Sequence, residues 1–281
     1  MSEAIIYITK SNGDRVPFDE EKLREALKHS GARPEQVEEA LERVKQNLFE
    51  GISTHKIYQT AYRILQKRSR HVAGRYRLKK AMLELGPSGY PFEKFVGKLF
   101  ESKGYTTHVN AHIQGACIQH EVDVVAKKES HQIMVECKYH GDNRGKSDVK
   151  VALYIHSRFL DVSKAWKAIQ NDESMVYEGM VVTNTRFSDD ATKYAACTGL
   201  RLVSWDYPMG NSLKDWIDRS GYHPITSLSL LKKSEKQFFL EKGIVLCRDL
   251  KDYSHLLEQL GMNVQKSHKV LAEAESLVHG F

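Results

Sequence analysis

At 281 residues, 41% hydrophobic and 28% charged, the chain has an ordinary globular balance and enough length for two or three separate cores. Its net charge of +6 permits a polyanionic partner without demanding one, and no apolar run approaches the ~20 residues that span a bilayer. The start MSEAIIYITK lacks the basic and apolar parts of a secretory signal, and the four cysteines, Cys117, Cys137, Cys197 and Cys247, are too scattered for a zinc site or a disulfide framework. A reducing cytoplasm is the expected setting.

The first segment, residues 1–86, opens with two short strands, AIIYIT and RVPF, joined by the turn KSNGD, since Asn-Gly tolerates positive φ. Asp19 is placed to cap a helix through EEKLREALKHSG, whose Leu23, Ala26 and Leu27 form a stripe. A second helix follows Pro34, with Val37, Leu41, Val44 and Leu48 at helical spacing. Ser53 or Thr54 caps a third, HKIYQTAYRILQK, and a fourth covers VAGRYRLKKAMLEL.

GPSGYPF breaks both periodicities and marks a boundary. Residues 90–222 then read as an α/β core of single-domain size. A helix at FEKFVGKLFESKG is followed by strands at TTHVNA, HEVDVVAK, QIMVECK, GMVVTN and LRLVSW, with helices at VKVALYIHSRFLDV and SDDATKYAACTG. Residues 224–281 read as short helices.

Within the core, HEVDVVAKKESHQIMVECKYH sets ionisable groups inside apolar runs. Burying an unpaired carboxylate costs several kcal/mol or forces it to take up a proton. Alternation puts Glu136 and Lys138 on one face of their strand and Val135 and Cys137 on the other. AKKESHQ is short enough for a hairpin that brings Asp123 beside them. Two carboxylates and an ammonium at one sheet edge suit metal-assisted phosphodiester hydrolysis. Asp123, Glu136 and the Cys137 carbonyl can ligate a hard cation such as Mg²⁺, and Lys138 can orient water or neutralise the phosphorane. His120 and His140 bracket this set. Arg158 and Asp161 either face it or pair with each other, and Tyr194 packs its helix against the sheet.

Residues 90–207 resemble the Mrr-type branch of the restriction-endonuclease-like, PD-(D/E)xK nucleases. PFEKFVGKLFESKGY, HEVDVVAK, VECKYH, GMVVTNTRFSDDATKYA and GLRLVSWD follow one another in the family's order. The resemblance implies Asp123 and Glu136 as metal ligands, Lys138 as the catalytic lysine, and Glu93 as an acidic group assisting the metal. It further implies Mg²⁺ or Mn²⁺ as cofactor and DNA as substrate, and it leaves a homo-oligomer open. Where many relatives approach the aspartate through glycines, this chain has QHEVD.

The first segment resembles an ATP-cone, the nucleotide-binding regulatory module of ribonucleotide reductases, through ITKSNGDRVPFDEEKLREAL, ISTHKIY and AGRYRLKKAMLEL. By that resemblance Lys10 and Thr54 contact phosphates, Lys22 and Leu23 line the pocket, and Arg75, Lys79 or Lys80 adds a cation from the last helix. Relatives usually carry a second basic residue where this chain has Ser11. ATP or dATP would act as effector, since there is no Walker-type loop for hydrolysis. The tail weakly resembles a helix-hairpin-helix module, partly visible at Gly243–Ile244.

The expected protein is a cytoplasmic, metal-dependent DNA endonuclease modulated by ATP or dATP, in restriction, phage defence or DNA repair. Its rivals are a nucleotide-responsive DNA-binding regulator on an inactive nuclease fold, and a junction-type repair nuclease.

Overall fold

The computed structural model describes residues 5–10, 13–170 and 173–279; Ser11 and Asn12 of the expected first turn lie outside the described residues. Two compact units emerge. One comprises residues 1–81, 225–236 and 247–281; the other comprises 82–224 and 237–246. The helical tail is thus divided between them.

The first unit begins with β1 (Tyr7–Thr9) and β2 (Arg15–Pro17), an antiparallel pair with Ile8 opposite Val16. Helix α1 (Glu20–His29) starts where the Asp19 carboxylate accepts the Lys22 amide at 2.9 Å, a cap of the expected kind. Helix α2 (Pro34–Gln46) buries Val37, Ala40, Leu41 and Val44, and α3 (Thr54–Arg68) is capped by the Ser53 hydroxyl. The expected fourth helix is two, α4 (Arg70–Tyr76) and α5 (Leu78–Leu83). Arg77 donates to the Ala73 carbonyl and Ala81 to the Arg77 carbonyl, both at 3.0 Å, so the interruption is confined to Arg77. No glycine or proline announces it.

In the second unit, α6 (Tyr90–Glu101) precedes β3 (Thr106–Gln114), β4 (Gln119–Lys128) and β5 (His131–Lys138). Next come α7 (Val149–Gln170), β6 (Val176–Thr183), α8 (Asp189–Thr198), β7 (Arg201–Val203) and α9 (Leu213–Ser220); α10 (Lys233–Glu241) is divided, residues 237–241 belonging to this unit and 233–236 to the first. The sequence reading did not foresee α9, and α7 runs eight residues beyond its expected end at Val162.

The sheet order among the described residues is β3-β4-β5-β6-β7. The first three strands are antiparallel and the last three parallel, with α7 and α8 as crossovers. Ala152, Ile155, Val162 and Trp166 of α7 cluster with Val122, Val125, Met134 and Val181 of the sheet. Ile133 and Val135, pointing the other way from Met134, are equally buried, so β5 is covered on both faces. Phe92, Phe95, Val96 and Leu99 of α6 are fully buried, each side chain contributing roughly 1.5–3 kcal/mol. Gly97 allows the close approach of α6 to the sheet, since a Cβ there would lie 3.1 Å from Val109.

The remainder of the first unit is a 3₁₀ turn at Ile225–Ser227, another at Cys247–Lys251, α11 (His255–Gln259) and α12 (Val264–His279). Leu277 of α12 lies directly against Gly74 of α4, where any side chain would collide with it. The Thr226 hydroxyl donates to the Ala81 carbonyl at 2.7 Å.

Alternation along β4 slips at one place. Val122 and Val125 both join the α7 cluster although their numbers differ in parity. Between them stands Asp123. Opposite, Asn110 of β3 adopts φ +56 and drops out of the β3–β4 ladder, a backbone state that asparagine tolerates better than most residues. Pairing of β4 with β5 runs from Lys128↔His131 only as far as Val124↔Val135. The next pair in that register would be Asp123 and Glu136. There the two strands part.

Candidate active site

The fork between β4 and β5 is where the chemistry-bearing side chains meet. Asp123 bridges it with its side chain: Oδ2 accepts the Cys137 amide at 2.6 Å, taking over work that backbone carbonyls do further along the ladder. Glu136 is 5% exposed, and both of its oxygens are engaged. Oε1 accepts from Lys138 Nζ at 2.5 Å, and Oε2 accepts from Arg158 Nη1 at 2.8 Å. Arg158 also donates to the Glu121 carbonyl on β4. Of the two possibilities for Arg158, the structure shows the first: it faces the site and does not pair with Asp161.

Glu93 enters from the first turn of α6. Burial, followed by the charges of Asp123, Glu121 and Glu136, pushes its carboxyl up to about 7, with Lys138 pulling weakly the other way. Asp123 is pushed up to about 6, chiefly by burial and then by Glu136, against the Cys137 hydrogen bond, Lys138 and Arg158. The Cys137 thiol is raised well above its ordinary value by burial. Glu93, Asp123, Glu136, Cys137 and Lys138 are therefore brought into one neighbourhood. Among the described residues, no three His, Cys, Asp or Glu side chains already converge as a preformed metal cage.

Sequence reasoning gave no role to the residues that fix the end of β5. Thr183 donates to the Lys138 carbonyl at 2.7 Å. Asn184 accepts the His140 amide at 2.9 Å and donates to the His140 carbonyl at 2.8 Å and the Met82 carbonyl at 3.3 Å. Between these, Tyr139 donates its hydroxyl proton to the Leu83 carbonyl at 2.6 Å and accepts the Gly86 amide at 2.7 Å. A Cβ on Gly86 would lie 2.7 Å from the Tyr139 ring, so glycine is required there. The signal was present in GMVVTN, read as a family mark without its purpose: Thr and Asn clamp the strand that carries Glu136 and Lys138.

The bracketing histidines serve the scaffold. His120 is buried against Asp161 at 2.8 Å, and Asp161 also accepts the Cys117 and Ile118 amides, bracing the β3–β4 turn. His140 reaches the Ser147 hydroxyl at 3.3 Å. Tyr194 meets His156 at 2.8 Å and packs on the α7 cluster.

In the first unit, a cavity of about 370 Å³ is lined by Ile8, Lys10, Val16, Pro17, Phe18, Asp19, Lys22, Leu23, Thr54 and Ile57. Four residues named from sequence, Lys10, Lys22, Leu23 and Thr54, thus share one cavity. They come together because Thr9 bonds to the Ile52 carbonyl at 2.9 Å and bridges Ser53, laying the end of β1 beside the start of α3. The lining excludes Arg75 and Lys80. The Arg75 guanidinium lies beside Gly31 at the α1–α2 turn, and Lys80 is exposed on α5.

Comparison with known proteins agrees with this geometry. Residues 86–207 match a family model described as restriction endonuclease (Mrr_cat), residues 6–81 an ATP cone domain, and residues 223–278 an AF1548-like C-terminal domain. The chain therefore joins an ATP-cone module to a restriction-endonuclease-like nuclease domain. An uncharacterized protein of Archaeoglobus fulgidus is 33% identical over 184 residues, covering 65% of this chain and 99% of the relative. The crystal structure of a protein of unknown function, AF1548, is 32% identical, with a TM-score of 0.55 over 69% of this chain and all of that one. The chain belongs with the AF1548-like proteins and carries an Mrr-type restriction-endonuclease-like domain behind an N-terminal ATP-cone. No helix among the described residues is long and apolar enough to cross a membrane.

The carboxylate cluster has a consequence for stability. A carboxyl whose folded-state pKa is raised favours the fold when protonated, and that contribution is lost as pH rises from its unfolded value near 4.5 through about 7. Glu93→Gln should therefore stabilise the metal-free protein at pH 8 by about 1 kcal/mol once partial solvent exposure is allowed for, and raise its Tm accordingly. The gain should vanish below pH ~4.5. Thermal melts across that range measure it, and an equal effect at pH 4 and pH 8 would contradict the electrostatic origin.

Proposed function

We propose that the protein is a divalent-metal-dependent DNA endonuclease whose activity responds to ATP or dATP. The observation that carries the reading is the fork itself, at which Asp123, Glu136 and Lys138 converge beside Glu93. The donor set suits Mg²⁺ or Mn²⁺, because its side chains are carboxylates and hard cations prefer oxygen. Burial first, and neighbouring carboxylates second, raise the affinity of Glu93 and Asp123 for protons, so added positive charge would favour their ionised forms. Asp123 and Glu136 would hold the ion, with the Cys137 carbonyl as a third donor and Glu93 acting directly or through water. A bound divalent cation supplies an acidified water and neutralises charge on the phosphoryl oxygens.

The chain's own groups do the rest. Lys138, about one-third exposed, carries its ammonium at the mouth of the fork, where it can turn from Glu136 to orient the attacking water or meet a phosphoryl oxygen. Thr183 and Asn184 hold the backbone on which Glu136 and Lys138 ride, and reaction geometry depends on such fixation. The intact triplet favours an enzyme over an inactive DNA-binding regulator. Restriction, defence against foreign DNA or DNA repair are the settings that fit a nuclease under nucleotide control.

Asp123→Ala or Glu136→Ala should reduce cleavage by about 10³-fold or more while DNA affinity is largely kept. The measurement is nicking of plasmid DNA in Mg²⁺ or Mn²⁺ alongside filter binding. A well-folded Asp123→Ala protein that cuts at the wild-type rate would end the assignment.

For nucleotide control, the cavity combines two lysines, a helix N-terminus at Thr54 and an apolar wall, a fitting set for a nucleoside phosphate. Lys10→Ala with Lys22→Ala should weaken ATP or dATP binding by at least about tenfold in calorimetry and leave basal cleavage intact. No nucleotide binding by the wild-type protein would leave a plain nuclease.

The peptide Leu83–Gly86 offers a route for the response. It follows the ATP-cone segment in sequence and is fastened by Tyr139, the residue next to Lys138. A nucleotide at ~100 times its Kd stabilises the state it prefers by about 2.7 kcal/mol, ample to move a small backbone equilibrium. Tyr139→Phe removes both hydrogen bonds and keeps the ring. It should preserve nucleotide binding and basal cleavage while flattening the ratio of rates with and without ATP; an unchanged ratio would rule this route out.

A further inference from the structure

Arg158 lies outside every motif that marks the nuclease domain, yet, like Asp123, it ties the two sides of the fork. Past Val124 and Val135 no ladder bonds join β4 to β5. Arg158 reaches both from a third element, α7, donating through Nη1 to Glu136 Oε2 on β5 at 2.8 Å and through Nη2 to the Glu121 carbonyl on β4. Its side chain is 12% exposed. The helix beneath it is anchored by Ile155 and Val162, both fully buried, and the guanidinium lies over Tyr154 at 5.4 Å from the ring centre. A guanidinium is planar and its donors diverge at fixed angles, so two bonds to two strands set the distance between them. A lysine in its place would offer one nitrogen on a flexible stem, without two separated donors held at a fixed angle.

We infer that Arg158 is a positioning residue, a strut that fixes the opening between the two catalytic strands and holds Glu136 where a divalent cation is to be bound. The inference rests on the nuclease reading above and adds to it a residue that touches neither substrate nor reacting atoms. Lys138 and Arg158 divide the labour at Glu136. The first is the more exposed cation, free to leave for the substrate; the second is buried and tied to both strands.

The test uses full-length wild-type, Arg158→Ala and Arg158→Lys proteins. Calorimetry measures Mn²⁺ affinity without DNA, and single-turnover assays measure cleavage at saturating Mn²⁺ together with DNA Kd. Arg158→Ala is expected to bind Mn²⁺ about 10–100-fold more weakly and to cleave more slowly by a similar factor, with DNA Kd unchanged. Added methylguanidinium should restore much of both losses, which a general weakening of the fold would not allow. Arg158→Lys should recover little of either. Should Arg158→Ala fail to fold, Arg158→Lys, which keeps the charge and the aliphatic stem, carries the test. Wild-type Mn²⁺ affinity and rate in the folded variant would overturn the strut. A wild-type protein that neither binds Mn²⁺ nor cuts DNA would overturn the nuclease reading and the strut with it. Wild-type activity beside an unaffected variant sinks the strut alone.

Discussion

The hydrogen bond from the Cys137 amide to the Asp123 carboxylate sits at the point where β4 and β5 part. A β-ladder satisfies its amides with the neighbouring backbone, and a strand that leaves its neighbour must satisfy them otherwise or pay for burying them unpaired. Here a side chain from the departing strand supplies the acceptor. The same act places a carboxylate beside Glu136, so parting of the strands and assembly of the acidic cluster are one event. Asn110 helps the departure, since its positive φ lets β3 follow the slip in β4 without losing the pairs on either side.

Putting several carboxylates in such a place has an electrostatic cost, and the surroundings show how it is contained. The sheet is apolar on both faces, so burial leads the list of effects that raise Glu93 and Asp123. Glu136, the most enclosed, is the one given two cations. A buried ion pair is weak evidence of stability, since desolvation consumes most of the attraction. Its value here is in keeping Glu136 oriented. Glu93 and Asp123, with less compensation, retain an unmet demand for positive charge.

Much of this was legible in the sequence where the controlling interactions are local. Asp19 and Ser53 cap their helices, the stripe from Val37 to Val44 is buried, and AKKESHQ does join two antiparallel strands. Period-two alternation put Glu136 and Lys138 on one face, and a register of a few residues brought Asp123 to them. What stayed hidden is long-range. Arg158 reaches Glu136 across 22 positions, Asn184 reaches His140 across 44, and Tyr139 reaches Leu83 across 56. No periodicity encodes such partners. The slip in β4 was hidden for another reason: HEVDVV alternates well enough on paper, and only the packing of Val122 and Val125 on one cluster reveals the break.

The tail shows the same limit at the level of whole elements. Read alone, residues 224–281 look like short helices in search of a role, and the Gly243 turn invites comparison with DNA-binding hairpins. In the fold, Gly243 is a helix terminator at φ +75, its amide returning to the Leu240 carbonyl at 2.9 Å, an ordinary end for α10. Further along, Glu273 of α12 accepts the Ser229 and Leu230 amides and the Ser229 hydroxyl, and Leu277 fills the space that Gly74 leaves open. Gly74 belongs to the last stretch of the ATP-cone match, so this packing places a tail helix on the nucleotide-binding module's own helix. Gly74 lets α12 come close to α4: the nearest Leu277 carbon is 2.9 Å from where a methyl group would sit. The tail helix is thereby packed against the last stretch of the ATP-cone match, a placement that only the fold reveals.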